Sequence, residues 1–282
     1  MLDAQVKRML ADPRSEVLVN GFAKSWLNVD DLYAVVPDKI LYPEFTDGLR
    51  EDFAEEIELF LRSVLLEDRN VQTLLTADYS FLNERLARHY GVEGVVGPQF
   101  RRVELADPRR HGLLGKGAVL LRTSYGDRTS PVLRGAWVLD KLLGTPPSPP
   151  PPGVETNLSP TEGEEPKTLR ARLEQHRASP TCNACHGVID PYGLALENFT
   201  ATGRWRDRDE AAGHATASHL DGTCIGARRA RVGFDLIGNL QLLRDGDETV
   251  EDLGIDVGTA ADDGTAAELG LAEFALVAIG MI

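Results

Sequence analysis

The sequence predicts a mainly α-helical protein with a multi-helix N-terminal domain, a proline-rich spacer, a small helical domain and an irregular acidic tail. Three observations support this fold class. Apolar residues recur at helical spacing in the first third of the chain, a run of prolines interrupts its middle, and ten acidic residues without a Lys or Arg occupy 245–282. At 42% hydrophobic and 26% charged residues, the 282-residue chain has an ordinary globular composition.

The N-terminal domain, residues 1–109, is predicted to contain helices near 2–11, 14–27, 46–66 and 79–90. The third has one apolar stripe at spacings of three and four. The stripe consists of Leu49, Phe53, Ile57, Phe60, Leu61, Val64 and Leu65. For the fourth helix, Asp78 or Ser80 is the expected N-cap and Gly91 the expected end.

Residues 111–143 should hold two more helices, separated by TSYGDRTSP. Thr129 or Ser130 is a good N-cap and Pro131 suits a first helical position, so this helix should run to about Gly144. Arg128 and Arg134 lie at its start. They are expected to be solvated residues of a capped helix.

The run TPPSPPPPG at 145–153 cannot be helical and predicts a stiff extended spacer. A short charged helix should follow from Thr168 to Arg177. These elements belong to a predicted second domain, 110–206. Residues 207–282 are expected to form a degenerate or poorly ordered C-terminal region, because their acidic composition favours solvation over burial.

The most specific motif is C-x-x-C-H, formed by Cys182, Cys185 and His186. Two thiols with this spacing can form thioethers to the two vinyl groups of a haem, and the adjacent imidazole can bind the iron. The sequence therefore predicts covalently attached haem c, with His186 as the proximal iron ligand. Arg128 and Arg134 could then, as an alternative to solvated residues, be a pair of cations for the haem propionates.

Two other uses of the cysteines stay open. Cys182 and Cys185 could form a disulfide, or Cys224 with His176 or His214 could complete a zinc site. Neither explains why a histidine directly follows the second cysteine. His176 is the leading candidate for a second axial iron ligand, ahead of His214 or His219, and a water-bound or open iron is an equal alternative.

Charge and hydropathy limit the classes of partner that the chain can have. The net charge is −14, without a basic stripe, which argues against nucleic acid as a partner. No apolar stretch is long enough to span a membrane, and the N-terminus is amphipathic rather than a signal peptide. Because haem is attached to this motif outside the cytoplasm, either an export signal lies upstream of this chain or no haem is attached.

The chain resembles the planctomycete-type cytochrome c proteins. The resemblance rests on FAKSWLNVDDL, YPEF, ADYSFLNERLARHYG and FRRVEL in the first domain. In the second, it rests on RTSPVLRGAWVLDKLLGTPPSPPPPGV and TLRARLEQHRASPTCNACHGVIDPYGLALENFTATGRWR. In that family, the domain of unknown function families fifteen-ninety-two, fifteen-eighty-eight and fifteen-eighty-five occur in this order, the last in a degenerate form here. The resemblance covers about residues 1–224.

The resemblance implies a support shell around the motif. It consists of Asp190, Pro191, Gly193, Glu197, Phe199, Gly203, Trp205 and Arg206. The family often has Met just before the Asp-Pro pair, where this chain has Ile189, so a nearby Met ligand is missing. After about Cys224 the family pattern ends, and a shifted reading frame or strong divergence would explain the remaining tail.

These observations predict an extracytoplasmic, for example periplasmic, c-type haem module that transfers single electrons to or from a redox partner protein. The resemblance further implies that the chain is the C-terminal part of a larger protein. Two alternatives are a non-haem interaction module with a disulfide or zinc, and the electron-accepting part of a larger oxidoreductase. No catalytic constellation is recognisable within the chain itself.

Overall fold

The computed structural model describes residues 2–149 and 168–207, and helices dominate these two ranges. The α-helices are α1 (Leu2–Leu10), α2 (Lys24–Trp26), α3 (Asp47–Leu65), α4 (Thr73–Thr76), α5 (Glu84–Tyr90), α6 (Gly117–Arg122), α7 (Pro131–Lys141), α8 (Leu169–Arg177) and α9 (Pro180–Leu194). The strands are β1 (Tyr79–Leu82) and β2 (Arg101–Glu104). The mainly helical fold class is confirmed. The described residues do not include 150–153 of the spacer or 208–282 of the C-terminal region, where His214, His219 and Cys224 lie.

The longest of these helices, α3, organises the N-terminal core. Thr46 caps it by accepting a hydrogen bond from the backbone N–H of Leu49 at 3.2 Å. The predicted apolar stripe is buried from Leu49 to Val64. It packs against β1, α5, α6 and the π-helix Leu18–Ala23. Helical periodicity therefore identified the main core element correctly.

The predicted helices at 14–27 and 79–90 need correction. The first is a succession of the 3-10 helix Pro13–Ser15, the π-helix Leu18–Ala23 and α2. In the second, the first four residues form β1, which pairs antiparallel with β2. The N-cap is neither Asp78 nor Ser80 but Asn83, which has an extended backbone and accepts the Leu86 N–H at 2.9 Å. Gly91 ends the helix as expected, with a φ of 74°.

The hydroxyl of Ser80 faces the core, because it lies on the buried face of β1 and donates to Glu56 on α3. Tyr90 also donates to Glu56 and accepts the Gly117 N–H at 2.7 Å. Burial raises the pKa of Glu56, whereas it lowers the pKa of the nearby Lys116 to about 8. This buried polar cluster fixes β1, α5 and the start of α6 on α3.

The segment after α9, residues 195–206, is attached to the preceding part of the chain by several side chains, including Arg110 and His89. Arg110 donates to the carbonyl of Gly203 at 2.7 Å, and its guanidinium lies over the Tyr90 ring. The ring of His89 hydrogen-bonds the carbonyl of Thr202 at 2.8 Å. The His89–Thr202 and Arg110–Tyr90 contacts cross the predicted boundary at 109/110, whereas Arg110 and Gly203 lie on the same side of it. The division into domains stays a prediction.

Among the described helices, α7 and α9 have the most extensive contact with each other. A Cβ built at Gly135 would overlap the carbonyl oxygen of Ile189, and one built at Gly193 would overlap the carbonyl oxygen of Pro131. Both glycines therefore permit backbone contact between the helices. α8 packs on α9 through a small apolar cluster of Leu169, Leu173 and Leu194, with Val132 against it.

Several boundaries in this region agree with the sequence. The Ser130 hydroxyl caps α7 by accepting the Leu133 N–H at 3.2 Å, and Pro131 is its first residue. Thr168 caps α8 in the same way through the Ala171 N–H at 3.1 Å. Local capping chemistry thus located the start of α7, and the predicted start of α8 at Thr168 is one residue before the observed start at Leu169.

No helix within residues 2–149 and 168–207 combines the length and apolar character needed to cross a bilayer. Even α3, at 19 residues, carries several charged side chains.

Adding a methyl group at Gly193 should destabilise the fold. We expect Gly193→Ala to lower the free energy of unfolding by about 2 kcal/mol or more, since the new Cβ would press on the Pro131 carbonyl. Gly187→Ala on the same helix is the matched control. Its Cβ would meet nothing closer than 3.4 Å, so it should raise stability by about 0.5–1 kcal/mol. Equal denaturation midpoints for the two variants would contradict the close helix contact.

His89 should make stability depend on pH. Burial is the main reason why its pKa falls from 6.5 to about 4, so the unfolded chain binds a proton between these values that the folded protein does not. Stability is therefore lost as pH falls through this window, by up to about 3 kcal/mol from this residue. His89→Gln keeps a donor for the Thr202 carbonyl, and urea unfolding at pH 7 and 4.5 should show a smaller loss for this variant. An equal loss would remove His89 as the cause.

Candidate functional site

The C-x-x-C-H motif lies in the first two turns of α9. Pro180 begins the helix, and Cys182, Cys185 and His186 follow at positions i, i+3 and i+4. This spacing places the three side chains on one face of the helix. Both cysteines are free thiols and half-buried. The arrangement brings together the three residues that the sequence predicted as a haem-attachment site.

His186 is held by a buried carboxylate one turn further along α9. Its Nδ1 lies 2.9 Å from Oδ1 of Asp190, whose side chain is fully buried. The His186 side chain itself is 20% exposed. Because Nδ1 is engaged by Asp190, Nε2 is the ring nitrogen left to bind a metal.

α8 adds a cation to this pair. Nε of Arg177 lies 3.5 Å from Oδ2 of Asp190, and its side chain is three-quarters buried. This ion pair has no local signal in the sequence, because Arg177 and Asp190 lie on different helices. The His186–Asp190 contact had a usable signal, since residues four apart on a helix are neighbours.

His176, the predicted second axial ligand, lies directly against His186. The two rings meet edge to face, with centroids 4.8 Å apart and planes at 81°. Two imidazoles on opposite faces of one iron would have centroids about 6 Å apart, given metal–nitrogen bonds of about 2 Å. α8 would therefore have to move away from His186 before His176 could bind the same iron. Its role as a ligand stays a prediction.

The two arginines considered for haem propionates differ sharply. Arg134 is fully buried and donates to the carbonyls of Leu196 at 2.6 Å, Phe199 at 2.8 Å and Thr200 at 2.9 Å. Arg128 is exposed and paired with its neighbour Asp127. Arg134 is thus neither solvated nor turned toward a surface ligand, and its contacts identify it as a structural residue.

Several residues of the predicted support shell meet in the segment after α9. Glu197 is buried and accepts hydrogen bonds from Thr129 and Arg206. The rings of Phe199 and Trp205 meet edge to face, with centroids 5.4 Å apart. These contacts close the segment into a turn against the start of α7. Thr129 was expected only as a possible cap, and nothing in its local sequence pointed to Glu197.

Among residues 2–149 and 168–207, no group of three or more His, Cys, Asp and Glu side chains is arranged to hold a metal ion. The zinc site considered from the sequence needs Cys224, which lies outside these ranges. The described part of the chain therefore contains only the Cys182, Cys185 and His176 components of that alternative.

The described parts form a helical protein whose C-x-x-C-H helix is packed closely on a neighbouring helix. Residues 1–92 match the family PSD4, a protein of unknown function (DUF1592), and residues 110–209 match PSCyt3, also of unknown function (DUF1588). These two segments match the two family models, whose names come from the planctomycete cytochrome c family. The third, degenerate segment is not among the matches. Neither the curated proteins nor the solved structures give a match.

The family resemblance is therefore confirmed for the first two segments, in the expected order. The family names relate the chain to cytochrome c at the level of a module. The family names do not by themselves establish haem binding or electron transfer.

Replacing Arg134 should separate its structural role from that of Arg128. Arg134→Met removes the donors to three buried carbonyls, and we expect a loss of at least about 3 kcal/mol in the free energy of unfolding. Arg128→Met, an exposed change of the same type, should stay within about 0.5 kcal/mol of the parent. Similar unfolding curves for both variants would show that the carbonyl contacts of Arg134 contribute little.

Proposed function

We propose that α9 attaches a c-type haem through thioether bonds at Cys182 and Cys185, with Nε2 of His186 as an axial iron ligand. One observation carries the proposal. The imidazole that follows the two half-buried thiols is fixed through Nδ1 by a buried carboxylate. A histidine ligand of a metal usually has such a partner on its other nitrogen.

The chain's own residues supply attachment, orientation and rigidity. The two free thiols are the groups that would form the covalent bonds, and neither is consumed by a disulfide. Close packing on α7 holds α9 in place, and Asp190 orients the imidazole. The haem would supply one-electron chemistry when bound. The proposed function is therefore single-electron transfer to or from a redox partner protein.

The second axial position has one candidate among the described residues. His176 is already in contact with His186. It is the residue before the last one of α8, and α9 begins after a short connection. Met9, by contrast, lies in α1, which buries none of its residues. We propose His176 as the second ligand once α8 has moved away from α9.

The proposed attachment chemistry also implies a location. Thioether attachment of haem takes place outside the cytoplasm, so the functional protein is extracytoplasmic. The family names are consistent with this location, because cytochrome c domains are typically found there.

Haem retention tests the proposal. Coexpressed with an export signal and the haem-attachment machinery, the chain should keep its haem through denaturation and acid-acetone extraction. Cys182→Ala combined with Cys185→Ala should abolish the retained haem, measured as a haem stain on a denaturing gel. Cys224→Ala, the third cysteine in the sequence, is the matched control and should retain it.

Two results would contradict the proposal. One is a colourless protein that contains one zinc per chain, which would favour the zinc alternative. The other is a Cys182–Cys185 disulfide in the haem-free exported protein, identified by mass spectrometry. Metal analysis and thiol counting on the same preparation distinguish these two results.

A further inference from the structure

We infer that Asp190 is a positioning residue that fixes the tautomer of His186 and lowers the reduction potential of the bound haem. This inference rests on the proposed function, because it assigns a role to Asp190 toward the same ligand. It goes further in stating which residue of this chain sets the electron affinity of the site and through which atom.

The geometry begins with the hydrogen bond inside α9. Asp190 Oδ1 lies 2.9 Å from Nδ1 of His186, one helical turn away. A carboxylate has only acceptor atoms for such a contact, so the imidazole must donate through Nδ1. The proton is then absent from Nε2 in the neutral ring, and the lone pair of Nε2 is available for a metal.

The position of Asp190 is well fixed. Its neighbour Ile189 has its carbonyl against Gly135 of α7, and Gly193, three residues further along, lies against Pro131. Asp190 itself is fully buried. A side chain held in this way cannot follow His186 into another orientation, so His186 has to align with it.

Arg177 completes the arrangement from α8. Its Nε is 3.5 Å from Oδ2 of Asp190, and no described residue donates a hydrogen bond to Oδ2. A buried charge without compensation is strongly destabilising, and Arg177 supplies the opposite charge. Its contact uses Oδ2, so Oδ1 remains committed to His186.

The consequence for the haem follows from ligand chemistry. A carboxylate acceptor on one imidazole nitrogen makes the other nitrogen a stronger electron donor. Stronger donation favours the ferric over the ferrous state, and second-shell hydrogen bonds are among the main controls of haem potential. The Asp190 contact therefore lowers the potential relative to the same haem with a neutral acceptor.

The first test uses the full chain without haem, produced without the attachment machinery and kept reduced. Nitrogen-15 NMR of histidine side chains, assigned with a His186→Gln variant, should show neutral His186 protonated at Nδ1 and unprotonated at Nε2. A proton on Nε2 with Nδ1 unprotonated would overturn the inference. This measurement needs neither haem nor a substitution of Asp190, so it also decides the case if Asp190 variants fail to fold.

The second test measures the reduction potential of the haem-loaded protein. Asp190→Asn keeps an acceptor oxygen for Nδ1 but removes the charge, and it should raise the potential by at least a tenfold change in the reduction equilibrium, about 59 mV for one electron. Glu197→Gln is the matched control, because it neutralises another buried carboxylate that bonds Thr129 and Arg206 rather than His186.

The possible results distinguish a failure of the role assigned to Asp190 from a failure of the proposed haem function. Equal shifts for Asp190→Asn and Glu197→Gln, or no shift for either, would show that Asp190 does not tune the haem. A wild-type chain that retains no haem would refute the proposed function, while the NMR result would still decide whether Asp190 positions His186.

Discussion

The fold of the C-terminal part depends on the burial of one guanidinium group. Arg134 projects from the first turn of α7 and donates to three carbonyl oxygens in residues 196–200. The last carbonyls of a helix and the turn beyond it lack helical partners, and they must find donors when they are buried. Arg134 supplies these donors for residues 196–200, which follow α9. It thereby fixes the direction of this segment and keeps it against α7.

The glycine contacts act on the same pair of helices. At Gly135 and Gly193 the backbone of one helix touches the backbone of the other, so neither helix can rotate without a clash. Rotation of α9 is what would turn Cys182, Cys185 and His186 toward a different direction. The glycines and Arg134 therefore determine where the motif faces, although none of them belongs to the motif.

The sequence predicted features that depend on local chemistry. The start of α7 was predicted from Ser130 and Pro131, the end of α5 from Gly91 and the core face of α3 from its apolar spacing, and all agree with the structure. β1 was missed because a four-residue strand has no period to detect, and its partner lies some twenty residues away. In this case long-range pairing overrode a plausible helical pattern.

The candidate site shows the same limit. The motif residues were recognised from their spacing, and Asp190 came from the family resemblance. Arg134 was predicted to be solvated but is buried, because a basic residue near a helix start looks solvated until the carbonyls it contacts are known. Arg177 likewise has no local signal, since its partner Asp190 is brought to it only by the packing of α8 on α9.

This packing makes α8 the element that controls both sides of His186. Arg177 at its end contacts the carboxylate behind the ring, while His176, the preceding residue, contacts the ring itself. The apolar contact between α8 and α9 is a small cluster of three buried leucines, to which the Arg177–Asp190 and His176–His186 contacts add. A displacement of α8 would therefore change the charge near Asp190 and uncover the His186 ring at the same time. If His186 binds a haem as proposed, the availability of His176 and the charge near Asp190 would both depend on the position of this short helix.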